Sequence, residues 1–245
     1  MNDSTSESWG KLKRIGRFLQ NRPRLVWKYP WQDPQDFLDV YADAGYAGCK
    51  VSRKSTSGGC IMIGYHLLRT WCKTQGIVSL SSAEAELMAA TKGGCEGLGM
   101  MRLFQDMGMN AKARLHVDAS AAIGIIQRRG VGKVRHLDVH TLWLQEREAR
   151  RHFEVLKIQG SKNPADLFTK GLSEDVMLQH LTFMGLEYRE GRAEKANKLM
   201  SVMGQSVSSS ILKRAKEAKM ERRKAAAKIS SKNGERKTLK RGGGG

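Results

Sequence analysis

The alternation of apolar and polar positions marks out strands in the first half of the chain. Residues 37–43, Phe-Leu-Asp-Val-Tyr-Ala-Asp, read as a strand, and residues 59–65 and 69–74 follow as two more between polar loops. From residue 82 to 107 the period changes. Ala83, Leu87, Ala90, Gly94, Leu98 and Met101 recur at spacings of four and three, which predicts a helix. Gly93, Gly94, Gly97 and Gly99 weaken it on propensity and point to close packing against a sheet. A short strand at 113–118, a small-residue helix at 119–127, a longer helix at 136–150 and a strand at 153–158 come next. A last helix opens at Asn163-Pro164. The order β-β-β-α-β-α-α-β-α calls for an α/β fold, a mixed five-stranded sheet flanked by helices. Trp71, Phe104 and Trp143 are expected in its core.

Charge adds a second feature. The 245 residues carry 43 Lys and Arg against 24 Asp and Glu, a net +19. From 189 to 245 there are 17 basic and 5 acidic residues, so that stretch alone holds +12. It has no tryptophan or phenylalanine and is rich in Lys, Arg, Ala and Ser, so it is expected to be a disordered or marginally helical basic extension that contacts nucleic acid. The alternative is a solvated charge run with no specific partner. No run approaches the ~18 apolar residues of a membrane span, and no apolar stretch follows a basic start, so neither a membrane protein nor a signal peptide is expected. Cys49, Cys60, Cys72 and Cys95 are scattered, which predicts reduced, mostly buried thiols in an intracellular protein.

The candidate chemistry lies in acids near the ends of elements. Asp43 ends the first predicted strand and is either an edge residue in solvent or part of a site. Asp118 ends a later strand, where ligand-handling residues gather in open sheets, although a helix cap would explain it too. Glu84 and Glu86 are separable by local physics. Ser81-Ser-Ala-Glu84 is a capping box, in which the Glu84 carboxylate is expected on the Ser81 amide. Positions two apart on a helix diverge by roughly 200°, so only one of the two glutamates can face a given site, and Glu86 is the one without a local role. Asp166 follows an Asn163 cap and a first-turn proline, a pattern that capping explains about as well as function. As a set, four such carboxylates suit hard divalent ions and phosphodiester hydrolysis.

The stretches Tyr41-Ala-Asp-Ala-Gly-Tyr-Ala-Gly, Arg53-Lys-Ser-Thr-Ser-Gly-Gly, Ser81-Ser-Ala-Glu-Ala-Glu, Val117-Asp-Ala-Ser-Ala-Ala-Ile and Asn163-Pro-Ala-Asp-Leu-Phe-Thr-Lys resemble, in order, the ribonuclease H domain of copia-type retrotransposon Pol polyproteins. The resemblance covers about residues 12–172. It implies a ribonuclease H-like fold, a hydrolase that cleaves the RNA strand of RNA–DNA hybrids, and two magnesium ions, with manganese as an alternative. The positions matching the family's catalytic and metal-binding acids are Asp43, Glu86, Asp118 and Asp166. In that reading Asp43 bridges the ions, Glu86 and Asp118 hold the one at the leaving side, and Asp166 holds the one that activates water. Residues 1–34 look like the end of the connection that follows reverse transcriptase, residues 35–188 like the nuclease domain, and 189–245 form the basic extension. The polymerase is absent, which implies a Pol fragment or a separately encoded remnant, with the reverse transcriptase portion of the parent polyprotein as a candidate partner. The compartment implied is the nucleus or a cytoplasmic virus-like particle.

Two departures from the family pattern stand out. Asp43-Ala-Gly45-Tyr46 replaces Asp-Ala-Asp-Trp, and Asp118-Ala-Ser120 replaces Asp-Asn-Gln. The loop before Asp166 also lacks the histidine that cellular ribonucleases H carry nearby. The nucleic-acid contacts expected are Arg53, Lys54 and Ser55 in a donor-rich loop, Lys73, and Lys133, Arg135 and His136. A polar hairpin turn is the alternative for residues 53–58. His136 and His140 have a spacing that can bind zinc, but no third ligand accompanies them. A catalytically inactive, basic nucleic-acid-binding remnant is the competing function.

Overall fold

Strand β2 (Phe37–Gly45) is buried on both faces, as a strand in the middle of a covered sheet must be. The computed structural model describes residues 5–20, 22, 24–130 and 139–191. The chain separates into two units, Met1–Gly191 and Arg192–Gly245, and every described element lies in the first. On one side β2 pairs antiparallel with β3 (Thr56–Ile63), which pairs antiparallel with β4 (His66–Thr74). On the other it pairs parallel with β5 (Lys112–Val117), and β5 pairs parallel with β6 (Phe153–Lys157). The order is β4-β3-β2-β5-β6, the mixed five-stranded sheet expected.

Each face of β2 has its own cover. Leu38, Val40 and Ala42 face helix α2 (Ser82–Asp106), with Leu87, Ala90 and Phe104 in the same core. The helix glycines act as the pattern predicted at three of four positions. A Cβ at Gly97 would lie 2.8 Å from Val40 Cγ2, one at Gly94 2.9 Å from Leu144 Cδ1, and one at Gly93 3.1 Å from Leu115 Cδ1. The missing side chains let α2 settle onto the sheet and onto α4 (Val139–Ala149), while Gly99 has open space around it. Helix α3 (Ser120–Gln127) adds Ile125 and Ile126 to this layer. The buried Gln145 amide clamps its end, donating to the carbonyls of Ile125 (2.7 Å) and Gly130 (3.1 Å). Trp71 and Phe104 are buried in this core and Trp143 packs against it.

The opposite face of β2 carries Asp39, Tyr41 and Asp43 at the period of two. Asp39 takes a bidentate bond from Arg114 (2.7 and 2.8 Å) and a third contact from His116 Nε2 (2.8 Å). Tyr41 stacks on the His116 ring and joins Cys60, Met62 and Leu67 beneath Ala165 and Leu181, the latter from helix α5 (Glu174–Phe183).

Several expectations change. The helix expected at Asn163-Pro164 is a short 3-10 helix, Pro164–Phe168, and the regular helix α5 starts only after a break. The helix expected at 136–150 is seen over Val139–Ala149, and its first expected residues lie outside those described. Asp43 sits inside β2, two residues before its end, and is fully buried. Only Cys60 is a buried thiol; Cys49, Cys72 and Cys95 are exposed. Before residue 37 the chain adds helix α1 (Ser6–Gln20), which has no buried residue, and strand β1 (Arg24–Trp27). The latter pairs antiparallel with β7 (Leu186–Arg189) in a separate two-stranded sheet, with Leu25 opposite Tyr188. Among the described residues no helix is long and apolar enough to cross a membrane.

Candidate metal centre

Three elements deliver three carboxylates to one place. Asp43 comes from β2, Glu86 from the second turn of α2, and Asp118 from the residue after β5. One carboxylate oxygen from each lies within 4.8 Å of the other two. The local sequence explains which glutamate takes part. Ser81 Oγ accepts from the Glu84 amide (3.2 Å), and Glu84 turns back toward the cap, so Glu86 is free to face the strands. The Glu84 carboxylate accepts from the Leu80 amide (2.7 Å), one residue earlier than the capping box predicts.

Asp166 reaches the cluster through its own neighbour. Asn163 Oδ1 accepts from the Ala165 amide (3.2 Å), while Asn163 Nδ2 donates to the Ala42 carbonyl of β2 (3.1 Å). The expected cap therefore also bolts the turn to the strand that carries Asp43. Lys170, one turn on, donates to Asp166 Oδ1 (2.8 Å) and to Asp43 Oδ1 (3.0 Å). Thr169 Oγ1 donates to Asp43 Oδ2. The turn fits because glycines lie beneath it. A Cβ at Gly45 would stand 2.8 Å from the Thr169 carbonyl oxygen, and one at Gly58 2.6 Å from Thr169 Cγ2. An aspartate at position 45, as in the family pattern, would collide with that backbone.

Lys170 and Thr169 were not singled out by sequence reasoning. The available signal was the spacing of Asp166 and Lys170, four residues apart as in paired side chains on a helix.

The electrostatics follow from crowding. Burial, then the charges of Asp43 and Asp118, push the Glu86 carboxyl up to about 8. Burial and Asp43 raise Asp118 as well. Asp166 is raised by burial, against the Lys170 hydrogen bond, with Asp43 and Asp118 adding to the rise. Burial works against the Lys170 ammonium, yet its bonds to Asp166 and Asp43 outweigh this and hold it charged. One ammonium does not balance the set. Glu86 Oε2 is buried with no hydrogen-bond partner, a costly state for a carboxylate that a cation would relieve. Oxygen donors alone suit a hard divalent ion such as magnesium or manganese, so the residues present fit such an ion.

The expected nucleic-acid contacts divide. Lys73 pairs with Ser57, which pairs with Ala44, so it lies two strands from the site, about 10 Å across the sheet. Arg53 is exposed in the loop after β2, at a φ of 56°. The Lys54 ammonium donates to the Gly76 carbonyl (2.6 Å), tying that loop to the one leading into α2. Ser55 is a correction. It is fully buried and its hydroxyl accepts from the Ala47 amide (3.0 Å), so it braces the loop and offers nothing to a phosphate. Lys133, Arg135 and His136 lie outside the described residues, and His136 is one of the two histidines weighed for zinc.

No protein-family profile matches the chain. Over 166 residues it is 32% identical to the retrovirus-related Pol polyprotein from transposon TNT 1-94 of Nicotiana tabacum, a match covering 67% of this chain and 12% of that protein. An uncharacterized mitochondrial protein of Arabidopsis thaliana is 29% identical over 89 residues, 36% of this chain and 37% of its own. Among solved structures, the N-terminal RNase H domain of Rv2228c from Mycobacterium tuberculosis is 18% identical, with 60% of this chain and 98% of that one covered and a TM-score of 0.39. LC11-RNase H1, isolated from compost, is 17% identical, with 60% and 99% covered and a TM-score of 0.40. The strand order, the helices on both faces and the carboxylate cluster built from β2, α2 and the end of β5 make this a ribonuclease H-like α/β protein. The chain is homologous to retrotransposon Pol polyproteins, and it spans about an eighth of the length of the transposon TNT 1-94 relative.

Proposed function

We propose that this chain is a metal-dependent endonuclease that hydrolyses the RNA strand of RNA–DNA hybrids, as retrotransposon reverse transcription requires. The observation that carries the reading is the convergence of Asp43, Glu86 and Asp118 within 4.8 Å, with one Glu86 oxygen buried and unpaired. These three would hold a magnesium ion, and Asp166 together with Asp43 would serve a second. Bound there, such ions lower the pKa of a water nucleophile and stabilise the leaving oxygen.

The rest is done by the chain itself. The sheet fixes Asp43 on β2 and Asp118 directly after its parallel neighbour β5, so their separation varies little. Burial around Glu86 excludes water from one side of the site and strengthens every charge interaction inside it. Lys170, by its ion pairs with Asp43 and Asp166, holds these two side chains in place before substrate arrives. Arg53 and Lys73, outside the cluster, grip the phosphate backbone, and the +12 stretch from 189 to 245 adds a sequence-independent hold that weakens with salt.

The test is a cleavage assay on a labelled RNA–DNA hybrid with magnesium, alongside DNA and RNA duplexes. RNA-strand products from the hybrid alone are expected. Asp118→Asn is expected to abolish them while leaving circular dichroism unchanged. Binding of the hybrid with no magnesium-stimulated cleavage would overturn the reading in favour of an inactive binding protein.

A further inference from the structure

We propose that a groove at the far end of the sheet binds a nucleotide, holding its phosphate with arginines and its base against guanidinium planes. Asp43 and Asp118 stand at one end of the parallel strands. At the other end Phe37, Lys112 and Phe153 open into a groove of about 920 Å3, walled by the C-terminal half of α2 and the last turn of α4. Strand β5 separates the two places by six residues, ~20 Å at about 3.3 Å each. The volume is that of a small-ligand site.

The lining is cationic and under-used. Arg102, Lys112, Arg147 and Arg151 all face the groove. Among the described residues the side chains of Arg102, Lys112 and Arg151 have no hydrogen-bond or ion-pair partner. Glu148 and Glu154 are the acids of the lining, too few to neutralise it. Arg147 carries the more specific signal. Its Nε is buried and makes no hydrogen bond, and its Nη1 has only His152 Nδ1 at 3.3 Å. With Nε shielded and only one long contact at Nη1, the terminal N–H groups of this groove-lining guanidinium are left for an anionic oxygen.

Two features favour a nucleotide over a bare anion. The Arg147 guanidinium stands over the Trp143 ring, 5.5 Å from its centroid, and Arg114 stands over Phe37 at 4.2 Å. Asp39 further fixes Arg114 by its bidentate bond. Both guanidinium groups are thus held over rings, and such planes are surfaces on which bases stack. A phosphate alone would use the free donors and leave these planes empty. The ligand can be a free nucleotide or the unpaired 5′ end of a strand, which share this chemistry.

The site is independent of the carboxylate cluster, so the experiment is run on the full chain in EDTA. Nitrogen-15 NMR follows the Arg147 Nε and Trp143 indole signals during titration with 5′-phosphorylated dithymidine, its unphosphorylated form and inorganic phosphate. The phosphorylated dinucleotide is expected to shift both signals, and each of the others is expected to bind at least about tenfold more weakly. Arg102→Gln/Arg151→Gln, at two exposed positions, is expected to weaken binding by about tenfold or more without changing the fold. A 5′-phosphorylated dT12 that displaces the dinucleotide identifies a strand end, and failure to displace it identifies a free nucleotide. Unmoved Arg147 and Trp143 signals, or wild-type binding by the double variant, would overturn the proposal. Asp118→Asn is expected to bind normally, which separates this site from the nuclease reading.

Discussion

Lys170 and Asp43, 127 residues apart in the chain, form a salt bridge of 3.0 Å at the centre of the carboxylate cluster. The same ammonium bonds Asp166 at 2.8 Å, so the protein's own cation lies between two carboxylates that we assign to metal binding. A lysine in that place does two opposing things. It stabilises the cluster when no ion is present, and it competes with an ion that would take the same charge. Lys170→Gln is expected to cost the metal-free protein about 1–3 kcal/mol, less than a fully buried pair because the lysine side chain is 40% exposed. The same change is expected to tighten Mn2+ binding followed by electron paramagnetic resonance. Weaker binding would show that Lys170 organises the ligands and does not compete.

Glu86 makes stability depend on pH in an unusual sense for a carboxyl. Its folded value, about 8, is above the ordinary 4.5, so between those values the folded chain keeps a proton that the unfolded chain releases. Stability therefore falls as pH rises through that window. Without divalent ions, the Tm is expected to be lower at about pH 8 than at about pH 5, and Glu86→Gln is expected to flatten the slope. Magnesium should raise the Tm more at the higher pH, where the free carboxylates repel one another most. A wild-type profile that rises across this range would show that Glu86 is not held protonated.

Two glycines on one helix should respond with opposite signs. At Gly97 a methyl group would stand 2.8 Å from Val40 Cγ2, so Gly97→Ala is expected to cost about 1–3 kcal/mol by overpacking. Gly99 has nothing within 4 Å, and Gly99→Ala is expected to stabilise by about 0.5–1 kcal/mol through helix propensity and the unfolded state. Urea unfolding of the two variants decides this. Equal effects would mean that α2 is not seated on the sheet as described.

Gly45 tests how the turn at Asp166 is placed. A Cβ there would meet the Thr169 carbonyl oxygen at 2.8 Å, a backbone atom that cannot swing aside as a side chain would. Gly45→Ala is expected to push the turn away from β2, carrying Asp166 and Lys170 off Asp43. The readouts are weaker Mn2+ binding and slower hybrid cleavage with circular dichroism retained. Unchanged metal binding would place Asp166 outside the working site.

Much of this molecule was legible along the chain because it depends on local physics. Alternation at 37–43 marks a strand because side chains there point to opposite faces, and the four-and-three spacing from Ala83 to Met101 marks one helical stripe. The Ser81 cap separated Glu84 from Glu86, and the Asn163 cap was visible before its turn was. These signals span a few residues, and nearby geometry suffices to produce them. The partners of Leu25, the burial of Ser55, the exposure of three cysteines and the bridge from Lys170 to Asp43 depend on segments brought together from distant parts of the chain. Periodicity says which face of an element is apolar. It does not say which other face will cover it, and only packing in three dimensions decides which charges share a cavity.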